Sequence, residues 1–141
     1  MFLEADTSFI RWATETSFLP AREKERMLLI LTAGYIELLA NCLAKERNLP
    51  EFKSLHQAIE KLRDLDLIDT ELHELLHWLR DLRNRAAHEP FFRLQPEDVK
   101  HLPSYWSDPQ YLEHACKGIC GSLWNRHAAT FDKVFGNLPR A

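Results

Sequence analysis

Apolar residues recur along most of this chain at intervals of three and four, the period of a helix with one buried face. Prolines at 20, 50, 90, 96, 103, 109 and 139 mark where that pattern is interrupted. The spacing between them predicts a short helix over about Thr7–Phe18 and a long one over Ala21–Arg47. A third follows over Ser54–Leu65 and a fourth is capped by Asp69 or Thr70 and stopped at Pro90. Pro96-Glu97-Asp98 reads as a short helix start, and Asp108-Pro109 as a cap with proline at the first helical position. The last helix is expected from about Gln110 to Phe135, bent at Gly118 and Gly121. The core stripe expected of the second helix is Leu28, Leu31, Tyr35, Leu38, Leu39 and Cys42. The predicted fold is all-α, an up-and-down helical bundle of four or five main helices in one domain spanning residues 1–141.

Composition narrows the function classes. A formal net charge of −3 excludes a generally basic nucleic-acid coat but leaves room for a local basic site. Four glycines supply too little turn material for a sandwich or barrel. Three cysteines, an odd number, argue against a disulfide framework. The segment Met1–Thr7 carries Glu4 and Asp6 and no basic residue, unlike a secretory leader. The most apolar run, Met27–Ala44, contains Glu37, Asn41 and Gly34 and reads as a buried core helix, not a membrane span. A cytoplasmic protein with no membrane partner and no cofactor is expected.

The fourth helix carries the chemistry. On a helical wheel Leu72, Leu75, Leu76, Leu79, Leu82, Ala86 and Ala87 form one apolar arc, and Arg83 falls inside it, about 20° from Leu72. A guanidinium keeps its charge, so it needs a carboxylate such as Glu37, a solvent-lined cleft or an anionic ligand. Asn84 and His88 share an adjoining face, and Arg80 and Arg85 add positive charge around the same helix end. A cation there is also favoured by the helix dipole alone.

The string Leu82-Arg83-Asn84-Arg85-Ala86-Ala87-His88 resembles the HEPN superfamily (higher eukaryotes and prokaryotes nucleotide-binding). Its signature is an Arg and a His separated by four to six residues, often with a polar residue after the Arg. The resemblance covers about Glu25–Phe135, with only the motif stretch diagnostic. It implies a homodimer in which two motif helices line a shared cleft, and a metal-independent ribonuclease acting on single-stranded RNA. In that reading His88 takes the 2′-hydroxyl proton, histidine having an unperturbed pKa of about 6.5. Arg83 stabilises the phosphorane with its fork of donors, and Asn84 orients the histidine or binds a phosphate oxygen. Arg80, Arg85 and Phe91 would hold phosphate or base, with Phe91 and Phe92 as base platforms or dimer contacts. An antitoxin or regulator protein is the partner that such a toxin or defence component implies. In HEPN toxins paired with a nucleotidyltransferase, a Tyr commonly lies two residues after the His; this chain has Pro90. The alternative within the same resemblance is a non-catalytic module that binds nucleotide, RNA or a partner protein.

A second string competes. His73-Glu74-Leu75-Leu76-His77 matches the H-E-x-x-H zinc-hydrolase pattern, with Glu74 as base, but no third ligand has an obvious placement beyond Glu97 or His101. No strand is expected to hold a peptide substrate, so no metal is assigned. Cys116 and Cys120, with His114 nearby, lack a second cysteine pair and read as core residues, as does Cys42. The charges from Arg22 to Arg26 read as a solvated face.

Overall fold

A computed structural model describes residues 7–15, 21–100 and 111–136. The chain is an all-α helical bundle, with seven helices and no strand among the described residues. They are α1 (Ser8–Glu15), α2 (Ala21–Glu46), α3 (Leu55–Asp64), α4 (Thr70–His88), α5 (Pro96–Val99), α6 (Tyr111–Arg126) and α7 (Ala128–Phe135). Helix α2 lies at the centre and packs against α1, α3, α4, α6 and α7. One continuous core joins Leu29, Ile36 and Leu43 of α2 to Ile59 of α3, Leu76 and Leu79 of α4, Ile119 and Leu123 of α6 and Phe131 of α7.

Local signals set most boundaries. The Ser54 hydroxyl accepts from the Gln57 N–H at 3.1 Å, and the Asp69 carboxylate from the Leu72 N–H at 2.8 Å. Each satisfies a helix-start donor that has no partner within the helix. Helices α2 and α3 both end through left-handed residues, Asn48 and Asp66, each at φ 57°. The Leu49 N–H reaches back to the Ala44 carbonyl and the Leu67 N–H to Leu62, each at 2.9 Å, which closes the helix end in the manner usually served by glycine.

Two expectations are corrected. The stripe on α2 is rotated: Leu31 and Leu38 are exposed and Tyr35 and Cys42 half-buried, while Leu29, Thr32, Ile36 and Leu43 are buried beside Leu28 and Leu39. Apolar residues surround this helix, so its sequence has no polar face to fix the phase. The last helix breaks at His127, not at Gly118 or Gly121, which lie inside α6. The His127 ring donates from Nε2 to the Leu67 carbonyl at 2.8 Å, tying the break to the α3–α4 connection. The first helix is described only to Glu15, and Asp108-Pro109 lies outside the described residues.

Helix α2 also bears on the membrane question. Glu23–Glu46 is long and apolar enough to cross a membrane, yet half of its most apolar window is buried within the bundle.

Candidate functional site

The C-terminal end of α4 is held in place by groups from elsewhere in the chain. From α2, the Arg26 guanidinium donates to the Ala86 carbonyl, to the Glu89 carbonyl at 3.0 Å and to that of Pro90 at 3.2 Å. The Ala86 carbonyl is one that a helix end leaves without an intrahelical partner, and a cation there also meets the negative pole of the helix. Arg26 is thus a structural cap, not part of a solvated face. Its neighbour Glu25 accepts the Leu94 N–H at 3.2 Å and pairs with Arg93 at 3.6 Å. On the other side the Trp78 indole donates to the Asp98 carbonyl at 2.6 Å. The segment after the motif is therefore laced to both α2 and α4.

Within this frame the predicted residues separate. Arg85 binds the Asp98 carboxylate at 2.7 Å, sits 3.7 Å from Glu89 and lies over the Phe92 ring at 5.4 Å. The Asp98 hydrogen bond raises its pKa further, and its charge is spent inside the chain. Phe92 is buried in the core, whereas Phe91 is 81% exposed. Of the two aromatics Phe91 is the one exposed to solvent.

Arg83 meets Glu37 of α2, but at 3.8 Å and with side chains 29% and 41% exposed. Its Nε is buried with no hydrogen-bond partner. The carboxylate reading of Arg83 is therefore realised in part, by one long contact. Asn84 is half-buried, and His88, the last residue of α4, is exposed. Among the described residues neither side chain has a hydrogen-bond or ion-pair partner. Ala87 is exposed beside them while Ala86 is buried.

The N-terminal half of α4 is different. His73 and His77 both donate from Nε2 to Glu60 of α3, at 3.4 and 2.7 Å. The two imidazoles meet edge to face at 4.6 Å, and His56 of α3 lies 5.6 Å from the His77 ring. Arg80 donates from Nε to Nδ1 of His77 at 3.3 Å. These hydrogen bonds, that of His77 first, hold the Glu60 carboxyl below the usual carboxylate range. Ligand atoms of His56, Glu60 and His77 all lie within 4.8 Å of one another. The carboxylate that joins the histidines is thus Glu60, whereas Glu97 of α5 pairs with Lys100 just beyond it and His101 lies outside the described residues. The signal was present as His56-x3-Glu60, the same four-residue spacing as His73 and His77. It became meaningful only once α3 and α4 were known to lie side by side. Glu74 is exposed.

Cys116 and Cys120 are core residues, whereas Cys42 is half-buried at the edge of the core. Burial pushes the Cys116 thiol up to about 12 and raises Cys120 and Cys42 as well, so all three favour the neutral thiol.

The site and its setting thus define an all-α bundle with two polar constellations on one helix. The sequence model of a family described as a domain of unknown function (DUF4145) matches residues 32–106, more than half of the chain. The chain belongs to that family. The match contains α3, α4 and both constellations. No curated protein and no solved structure matches the chain.

Proposed function

We propose that this chain is a HEPN-like, metal-independent endoribonuclease, cytoplasmic, whose composite site forms where two copies bring their motif helices together. The observation that carries the reading is Arg83: a permanently charged side chain on the apolar arc, with its Nε buried and unbonded and its one ion pair long. An unsatisfied buried donor costs about 1–3 kcal/mol, a cost that an anionic ligand or a second copy would offset. Asn84 and His88, also without partners inside the described chain, supply the remaining groups. Exposed Ile30, Leu31 and Leu38 recur at helical spacing along α2, on the helix that also bears Arg26 and Glu37. That apolar row is a surface suited to a second copy.

In the reaction His88 removes the 2′-hydroxyl proton and the resulting oxygen attacks the adjacent phosphorus. Arg83 neutralises the charge of the phosphorane, and the 5′-oxygen leaves as it regains a proton from a protonated histidine. The products are a cyclic phosphate and a 5′-hydroxyl. A role in defence or toxin–antitoxin biology, with an antitoxin or regulator protein as partner, rests on the family resemblance alone.

A second reading, a non-catalytic module for nucleotide, RNA or protein, is favoured by the Glu37 contact, which gives Arg83 a resident partner. The two are separated by measuring cleavage and binding of a labelled single-stranded RNA with Arg83→Ala and His88→Ala. The nuclease reading requires cleavage by the wild type that disappears in both variants while His88→Ala still binds. Binding without cleavage by a dimeric wild type selects the module.

A further inference from the structure

The polar groups of the α3–α4 hairpin form a second constellation that the nuclease reading does not use. Helix α3 brings His56 and Glu60, four residues apart, and α4 brings His73 and His77, also four apart; both pairs therefore project from single helix faces. The Arg63 guanidinium bonds the Thr70 hydroxyl at 3.1 Å near the turn, and Glu60 and His56 meet residues progressively further along α4. The helices are thus antiparallel and the two faces oppose each other. The donor set, imidazole nitrogen with one carboxylate oxygen, suits zinc and related transition ions far better than calcium or magnesium.

We propose that His56, Glu60 and His77 bind a zinc-class divalent ion on the α3–α4 hairpin, with His73 as the fourth ligand. A tetrahedral zinc site with metal–nitrogen bonds of about 2.0–2.1 Å separates its ligand atoms by about 3.3 Å. His73 Nε2 already stands 3.4 Å from Glu60 Oε1 and His77 Nε2 stands 2.7 Å from it. The His56, Glu60 and His77 donors lie within 4.8 Å of one another, so rotations of exposed or half-buried side chains bring these three together, and His73 turns in from outside that group. In the metal-free hairpin the protons on the two Nε2 atoms occupy the positions that the ion takes over. Four protein ligands make a closed site that pins two helices together and leaves no open coordination position for catalysis. Zinc here is structural, and exposed Glu74 is not required as a base.

Arg80 opposes binding. Its Nε–H donates to His77 Nδ1, a contact that requires Nδ1 to be unprotonated, whereas an imidazole bound to metal through Nε2 carries its proton on Nδ1. The ion must displace this guanidinium, so removing it strengthens the site.

This inference stands apart from the Arg83 reading, and its test does not use RNA. Zinc titration of the full chain by calorimetry, with cobalt(II) absorption as a probe of geometry, is expected to give one ion per chain and the bands of tetrahedral cobalt. His56→Ala and Glu60→Gln, at exposed and half-exposed positions, should each lower zinc affinity at least tenfold with the helical circular dichroism unchanged. Arg80→Gln should raise it. Affinity that falls only with His73→Ala and His77→Ala, and ignores His56 and Glu60, would overturn the four-residue site in favour of a simple histidine pair on one helix. Octahedral cobalt spectra or the absence of stoichiometric binding would overturn it outright.

Discussion

The two halves of α4 use similar residue types and differ in where their polar groups find partners. In the N-terminal half His73 and His77 converge on Glu60, and Asp69 caps the helix while also binding Arg126. At the C-terminal end Arg83 has one long contact, and Asn84 and His88 have none among the described residues. The scaffold around that end is nonetheless firmly built, through Arg26, Trp78 and Arg85. A rigid frame around unsatisfied polar groups is the arrangement expected where the partner comes from outside the chain. A helix half whose polar groups bond one another serves the fold, or an ion, instead.

The comparison can be broken most severely at His88. His88→Ala should lower RNA cleavage by about 10²–10⁴-fold, the usual contribution of a general base, and leave the melting temperature unchanged. A large fall in melting temperature would place His88 among the structural residues. Next in size is Arg26→Ala, which strips the carbonyls at the end of α4 of their donor and should cost about 1–3 kcal/mol in urea unfolding. Amide exchange should quicken in the last turn of α4 more than at its start. Phe91→Ala should weaken single-stranded RNA binding by about 1–3 kcal/mol, the measured range for one stacked base, without changing stability.

The N-terminal half should respond in stability and not in cleavage. Asp69→Ala removes a helix cap and should cost about 1 kcal/mol with cleavage intact. The smallest effect concerns acid. The Leu72 N–H and Arg126 hold the Asp69 carboxyl below its ordinary range, and the His77 and His73 hydrogen bonds do the same for Glu60. A depressed carboxyl stabilises the fold fully above its unfolded pKa and loses that contribution as pH falls through the folded value. Stability should therefore decline as pH drops below about 4. Glu60→Gln should flatten part of that decline in a denaturation series from pH 6 to pH 2.5.

What the sequence made legible follows from how local each signal is. The boundaries of α3 and α4 were readable because Ser54, Asp69 and Pro90 act within a turn of themselves. The phase of α2 was not, because Ile30, Leu31 and Leu38 are as apolar as the buried Leu29, Ile36 and Leu43, and only packing decides between the rows. Arg26 reads as one charge among several until the fold brings it, sixty residues along the chain, to Ala86. Arg83 on an apolar arc was visible as an anomaly, and the structure accounts for its charge only in part. The Glu60 cluster was half visible, as a histidine pair whose carboxylate comes from a different helix.

Cleavage of a labelled single-stranded RNA by the pure protein in excess EDTA, beside His88→Ala, tests the nuclease reading most directly. The account predicts cleavage that persists in EDTA, yields cyclic-phosphate ends and vanishes in the variant. Cleavage that His88→Ala retains, or that EDTA abolishes while the helical circular dichroism and melting temperature stay unchanged, would contradict it.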